Sequence, residues 1–273
     1  MIKRTLSTVG LWTVVFGAIY CFGLLGGVVL LALLTLLAQY EFQELLGKSG
    51  LPPWRILPLA LGIALVLAAG SVLNWRAEAC LILFLFLFGP IALVAGALFS
   101  VKNPAALNRL GGSVLALAYV PGMMLYYAMI AEKFGSIVPA VWVIAVAKFT
   151  DVGGYLVGSM VGRHKLAPSI SPGKTWEGVA GGLLLAALVA YLPVQFAPQY
   201  FPGWLTPLLA VGLAFPIGIA AITSDLSESA FKRRAGVKDS GNCIPGIGGA
   251  LDLADSLLLA GPVAFYLFML VRR

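Results

Sequence analysis

Between Gly178 and Thr223 the chain runs for 46 residues without a single Asp, Glu, Lys, Arg or His, then places nine charged residues in Ser224–Asp255. This alternation constrains the fold more than any other feature. An apolar stretch of about 20 residues crosses a bilayer as a helix, because hydrocarbon offers backbone polar groups no partner outside the helix itself. A soluble domain carries about 25% charged residues. This chain carries 11% in 273 residues, with 60% hydrophobic residues. The composition excludes a water-soluble globular fold and predicts an all-α polytopic membrane protein.

Apolar runs place spans at roughly 22–39, 56–73, 79–99, 110–131, 136–150, 178–196, 204–223 and 256–271, with a shorter segment at 8–20, about eight to nine helices in all. Thr8 to Ala38 is too short for two upright spans and a turn. Gly23, Gly26 and Gly27 therefore suggest either a short first helix that breaks and re-enters or one long tilted helix. The apolar run at this end outlasts a signal-peptide core and lacks a cleavage pattern, so it is expected to be retained. With no repeat or linker, residues 1–273 are expected to form one membrane-embedded domain. Residues 1–149 are mostly scaffold and 150–262 carry the chemistry, since 7 of the 11 acidic residues lie from Asp151 onward.

Orientation follows from the basic residues. With nine spans, thirteen of them (Lys3, Arg4, Lys48, Arg55, Lys102, Arg109, Arg163, Lys165, Lys174, Lys232, Arg233, Arg234 and Lys238) share one side, against Arg76, Lys133, Arg272 and Arg273 on the other. The basic side is expected to be cytoplasmic. The net charge of +7 reports topology and favours anionic lipids and nucleotides. Without a soluble basic domain it gives no reason to expect a nucleic-acid partner. Cys21, Cys80 and Cys243 are scattered singly and suggest neither a metal site nor a disulfide framework.

Two polar islands carry the chemistry. The first runs from Lys148 to Glu177. Asp151 ends an apolar span, and Gly153, Gly154, Gly158 and Gly162 are spaced for close helix packing or for backbone approach to a ligand. Ser171-Pro-Gly-Lys174-Thr looks like the tail of a phosphate-binding loop, yet it lacks the leading glycine and a preceding strand, so a nucleotide-binding fold is not expected. On the plainer reading Ser171 caps a helix opening near Pro172 and Lys174 is solvated. His164, the one histidine, stands between Arg163 and Lys165 and is a poor candidate for a general base.

In the second island Asp225, Glu228 and Lys232 follow one another at i, i+3 and i+7, on one helical face. Asp252 and Asp255 are likewise three apart at the start of the last helix. Hard divalent cations take oxygen ligands, and Mg²⁺ in nucleotide enzymes is held by one or two carboxylates plus substrate phosphates. Lys232, Arg233, Arg234 and Lys238 supply donors for phosphate. Gly246, Gly248 and Gly249 open the backbone to an anion. The plainer reading makes Asp252 a helix cap and Asp255 a balance to the helix dipole, but it leaves Asp225 at a membrane boundary without a purpose.

Taken together, Ser229-Ala-Phe-Lys232-Arg233, four residues, Lys238-Asp239, and then Pro245-Gly-x-Gly248-Gly249-x-x-Asp252-x-x-Asp255 closely resemble the signature of CDP-diacylglycerol synthases (phosphatidate cytidylyltransferases). Asp151-x-Gly-Gly-Tyr and the run from Gly162 through Ser-Pro-Gly-Lys-Thr-Trp-Glu-Gly look like the preceding motif of the same family. The match covers about 145–262. It implies attack of the phosphatidic acid phosphate on the α-phosphate of CTP, giving CDP-diacylglycerol and pyrophosphate. It implies a Mg²⁺ centre, with room for a second cation, on Asp225, Asp252 and Asp255. Lys232 then acts with these acids in catalysis, and Ser171, Lys174, Arg233, Lys238, Asp239, Asn242, Gly248 and Gly249 bind substrate. Localisation is expected in a bacterial inner membrane with the site facing the cytoplasm. A homodimer is permitted by the small-residue stripes but not required.

Two positions depart from the family pattern, Ile247 where it has His and Leu253 where it has Arg. Loss of a phosphate-facing donor costs roughly 10²–10³ in rate, so the departures leave open a relative with altered activity. One such relative would phosphorylate a polyprenol-type lipid from CTP. A cation transporter is a third reading, but it calls for acids in mid-span rather than at span ends beside a basic loop.

Overall fold

The computed structural model describes residues 2–70, 106–241, 243 and 248–272. Its chain order is α1 (Ile2–Lys48), α2 (Ile56–Ala69), α3 (Ala106–Tyr119), α4 (Pro121–Lys133), α5 (Val138–Val161), β1 (Lys165–Ala167), β2 (Ser171–Thr175), α6 (Trp176–Phe196), α7 (Pro207–Arg234), α8 (Ala250–Ala254) and α9 (Leu257–Val271). The protein is mostly helical, as its composition requires. Six stretches among the described residues are long and apolar enough to cross a membrane: Gly17–Lys48, Ala106–Lys133, Val138–Val161, Trp176–Phe196, Pro207–Arg234 and Ala250–Val271.

The differences from the expected spans have local causes. The two segments expected at 8–20 and 22–39 form one helix interrupted only at Gly23, whose φ of 56° and ψ of −130° suit a residue without a side chain. The run at 56–73 yields a helix of 14 residues, too short to cross unaided. The span expected at 110–131 is divided at Val120, before Pro121, because proline disfavours helical geometry in the residue preceding it. The span expected at 79–99 lies outside the described residues. Among the described residues the all-α class gains one exception, an antiparallel hairpin pairing Lys165 with Thr175 and Ala167 with Ser171.

The chain divides into two compact units, Met1–Glu132 with Phe231–Ala254, and Lys133–Ala230 with Asp255–Arg273. In the first unit α1 packs on α2, α3 and α8. Phe42, Tyr119 and Phe231 stack into a ring cluster with centroids 4.8 to 5.3 Å apart, where large aromatic areas leave water together. The buried Gln39 amide donates to Pro58 O at 2.8 Å, and the Trp54 amide donates to Ser113 Oγ at 2.9 Å. These two bonds satisfy polar groups at the start of α2 and in the segment before it.

The second unit is built on α5 against α6. The glycines that the sequence offers for either packing or ligand approach are used for packing. A Cβ on Gly182 would stand 2.5 Å from Thr150 O, one on Gly178 2.7 Å from Gly154 O, and one on Gly153 2.8 Å from Gly181 O. Backbone therefore meets backbone along this seam, the arrangement small residues permit between membrane helices. Trp142 Nε1 donates to Ala190 O at 3.1 Å across the same pair.

Candidate active site

In the second unit, carboxylate oxygens of Asp225, Glu228 and Asp255 lie within 4.8 Å of one another. Asp225 and Glu228 come from one face of α7, the i, i+3 spacing read from the sequence, and Asp255 precedes α9. Strand β2 delivers Lys174, whose Nζ is 2.6 Å from Asp225 Oδ2. Helix α5 delivers Lys148, whose Nζ is 3.1 Å from Asp255 Oδ1. Asp151 stands one turn further along α5, within electrostatic reach of Asp225, Asp255 and Lys148. The backbone around Asp255 is fixed by its neighbours. Ser224 Oγ donates to Asp255 O, the Leu259 amide donates to Ser224 Oγ at 3.2 Å, and the Ser256 amide donates to Asp255 Oδ1 at 2.6 Å.

Three carboxylates this close repel one another, and two lysines offset only part of their charge. The donor set is all oxygen, which suits a hard divalent cation. The acidic cluster can therefore hold a metal. Glu228, buried on α7, joins it although the expected ligand set named Asp225, Asp252 and Asp255.

The expectation that Ser171 caps a helix opening near Pro172 is overturned. Residues 171–175 form strand β2, and Thr175 caps α6 instead, accepting from the Gly178 amide at 3.1 Å. A strand does precede this segment, contrary to the sequence reading, but it pairs antiparallel in a hairpin rather than feeding a phosphate loop. His164 is held by Glu177, with its Nδ1 2.5 Å from Oε1. The same carboxylate accepts the Arg163 and His164 amides at 3.1 and 3.2 Å. Histidine thus serves the hairpin's geometry.

In the first unit, Lys232 Nζ donates to Asp252 Oδ1 at 2.8 Å, with the two side chains only 13% and 17% exposed. Asp252 Oδ2 accepts the Gly249 amide at 2.9 Å and the Ser240 amide at 3.2 Å. Asp252 is therefore not the residue before the helix. It reaches back three positions from inside α8, as an acid does in a capping box. Gly248 has φ of +124°, and a Cβ there would lie 3.2 Å from Asp252 Oδ2. Of the three glycines expected to open the backbone to an anion, Gly249 brings its amide to Asp252, and Gly246 lies outside the described residues.

Arg233, Lys238 and Asp239 are exposed. Asn242 and Ile247 lie outside the described residues. Leu253, at the other departure from the family pattern, is half-buried, and its amide donates to Gly249 O at 3.2 Å.

One residue of this unit escapes the sequence reading altogether. Glu41 of α1 is 3% exposed, and its Oε2 accepts Ser240 Oγ at 3.0 Å and the Leu251 amide at 2.8 Å. A hydrogen bond to Glu41, followed by burial and the charge of the same carboxylate, pushes the exposed Cys243 thiol up from its ordinary pKa. Less thiolate is then present near neutrality, and thiolate is the reactive form. In Glu41→Gln that charge is gone, the thiol falls back, and alkylation of Cys243 at about pH 8 is expected to speed up several-fold. At higher pH, once the thiol is ionised in both proteins, the rates should converge. Peptide-resolved mass spectrometry of iodoacetamide adducts reads both arms. Identical pH profiles would show that the carboxylate does not act on this thiol.

The chain matches the family model described as "Cytidylyltransferase family" over residues 2–271. Among curated proteins, the phosphatidate cytidylyltransferase of Staphylococcus saprophyticus is 33% identical over 244 residues, 87% of this chain and 89% of that one. The enzyme of the same name from Staphylococcus aureus (strain COL) is 31% identical over the same length and coverage. That of Haemophilus influenzae is 42% identical over 121 residues, so the match spans 44% of this chain and less than half (42%) of that relative.

Proposed function

The chain belongs to the cytidylyltransferase family, and from that premise we propose that it is a phosphatidate cytidylyltransferase, converting CTP and phosphatidic acid to CDP-diacylglycerol and pyrophosphate. The observation that carries the reading is the carboxylate cluster of Asp225, Glu228 and Asp255 with Lys174 and Lys148 upon it, in a chain whose near-full-length relatives bear that name. Nucleotidyl transfer asks for positioning and charge neutralisation rather than for a protein nucleophile. A phosphate oxygen of phosphatidic acid bonds to the α-phosphorus of CTP, and the bond from that phosphorus to the β-phosphate oxygen breaks. Pyrophosphate leaves with the electron pair. The nucleophile is already an anion, so no strong base is needed, in keeping with a histidine occupied in the hairpin.

We assign Asp225, Asp255 and Glu228 to hold Mg²⁺, which when bound neutralises charge on the phosphate oxygens. Lys174 and Lys148, adjacent to these carboxylates, are placed to turn toward phosphate. The signature match assigns Lys232 and Asp252 to the same reaction, with Ser171, Arg233, Lys238, Asp239, Asn242, Gly248 and Gly249 on the substrates. The family model runs through both compact units, which supports treating them as the single membrane-embedded domain read from the sequence. The basic bias of the loops and the aqueous source of CTP put the site on the cytoplasmic side of a bacterial inner membrane. The lower of the two expected counts, eight helices, belongs to the same proposal, since 8–20 and 22–39 form one helix interrupted at Gly23.

Purified protein in detergent tests the reading. Pyrophosphate should appear only with CTP, Mg²⁺ and phosphatidic acid together, one per lipid consumed. Release of CDP in its place would instead identify a lipid kinase.

A further inference from the structure

A carboxylate inside an apolar helix is unfavourable unless donors surround it, and Glu41 lies among the buried side chains of Phe42, Leu45 and Leu46. Its donors come from a segment about 200 residues away in sequence. Ser240 Oγ and the Leu251 amide both bond to Oε2, at separations of 199 and 210 residues. The approach is close enough to dictate two glycines. A Cβ on Gly241 would stand 2.3 Å from Glu41 Oε1, and one on Gly249 2.3 Å from Oε2.

Ser240 uses both of its polar groups here, its hydroxyl on Glu41 and its amide on Asp252 Oδ2 at 3.2 Å. Leu251, the other donor, is the residue before Asp252. Two short paths therefore run from Glu41 to Asp252, one through Ser240 and one along the backbone.

We propose that Glu41 is a positioning residue that ties Ser240 and the first turn of α8 to α1 and so sets the placement of Asp252. The role of Asp252 in catalysis rests on the function proposed above, while the clamp does not. Glu41 touches no reacting atom and acts through Ser240 and Leu251. Its action requires an acceptor atom at the Oε2 position more than it requires a charge. Glutamine retains that acceptor in its carbonyl oxygen, and alanine does not.

The test compares full-length wild type, Glu41→Ala, Glu41→Gln and Ser240→Ala, by steady-state kinetics and by amide hydrogen exchange. Glu41→Ala should lower kcat by roughly ten- to a hundredfold, the scale of a small displacement of a catalytic group, while KM for phosphatidic acid stays within about twofold. Exchange should rise in peptides covering 240–252 and stay unchanged elsewhere. Glu41→Gln should recover most of both effects. A Glu41→Ala protein with wild-type kcat and exchange, or a Glu41→Gln protein as slow as Glu41→Ala, overturns the proposal. If Glu41→Ala does not fold, Ser240→Ala removes one of the two donors and should show the same pattern at smaller amplitude. Wild-type kinetics and exchange in Ser240→Ala would overturn it equally. A wild type that makes no CDP-lipid would sink the proposed function, and local exchange would still decide the clamp.

Discussion

Replacing Asp255 with asparagine is expected to lower kcat/KM for CTP by about 10²- to 10³-fold while leaving a folded protein. Asparagine keeps the shape of aspartate and one acceptor oxygen, so the Ser256 amide, 2.6 Å from Oδ1, still has its partner. What disappears is one of three negative charges held within 4.8 Å, and with it much of the attraction for a divalent cation. Lys148, 3.1 Å from the same oxygen, loses its ion pair but keeps Asp151 within electrostatic reach. The half-saturating Mg²⁺ concentration should rise at least about tenfold. Manganese binding followed by EPR reads the site without the reaction, and it should weaken in parallel for Asp225→Asn. Wild-type rates and Mn²⁺ affinity in Asp255→Asn would remove this cluster from the mechanism.

The second large effect belongs to Lys232→Met. Lys232 and Asp252 form an ion pair of 2.8 Å, with side chains 13% and 17% exposed. Removing one member of such a pair leaves a desolvated charge, a loss of roughly 3–5 kcal/mol in fully buried cases and less here, where water still reaches both groups. The Ser240 and Gly249 amides remain on Asp252 but carry no full charge. The unfolding midpoint should fall, and the rate should drop by about 10²-fold with the lost cation. The double variant Lys232→Met/Asp252→Asn separates the two consequences. Without a stranded charge its midpoint should return toward wild type, yet its rate should stay low. Restored rate in the double variant, or an unchanged midpoint in the single one, would contradict this account.

Much of this architecture was legible because lipid imposes a simple rule on sequence. The charge-free run from Gly178 to Thr223 does become two helices, α6 and α7, with a short connection. The stripe of Gly153, Gly154 and Gly158 becomes a packing seam, one of two uses its spacing allowed. Helix count was harder, since hydropathy alone does not show that Gly23 only interrupts α1 or that α2 stops after 14 residues.

At the candidate site, the Asp225–Glu228 face followed from helical period. Its meeting with Asp255 and Lys174 depends on tertiary packing of separate elements; the chemistry of paired acids points to Asp255, but no periodicity joins Lys174 to them. The plainer reading of Ser171 as a helix cap rests on Pro172, which resembles the first turn of a helix, and it fails because pairing of Ser171 with Ala167 makes the segment a strand. Glu41 carried no signal. An acid near the end of an apolar helix, with Glu44 three residues on, looks like an interface residue until Ser240 and Leu251 are brought against it.

The central claim is that the cytidylyl group itself moves onto lipid. CTP labelled in the cytosine ring and, separately, at the γ-phosphate is incubated with the purified protein, Mg²⁺ and phosphatidic acid, and the lipid phase is counted. The account predicts ring label in lipid, γ-label left in aqueous pyrophosphate, and both lost in Asp255→Asn. Label from the γ-phosphate entering lipid while the ring stays in water would contradict it.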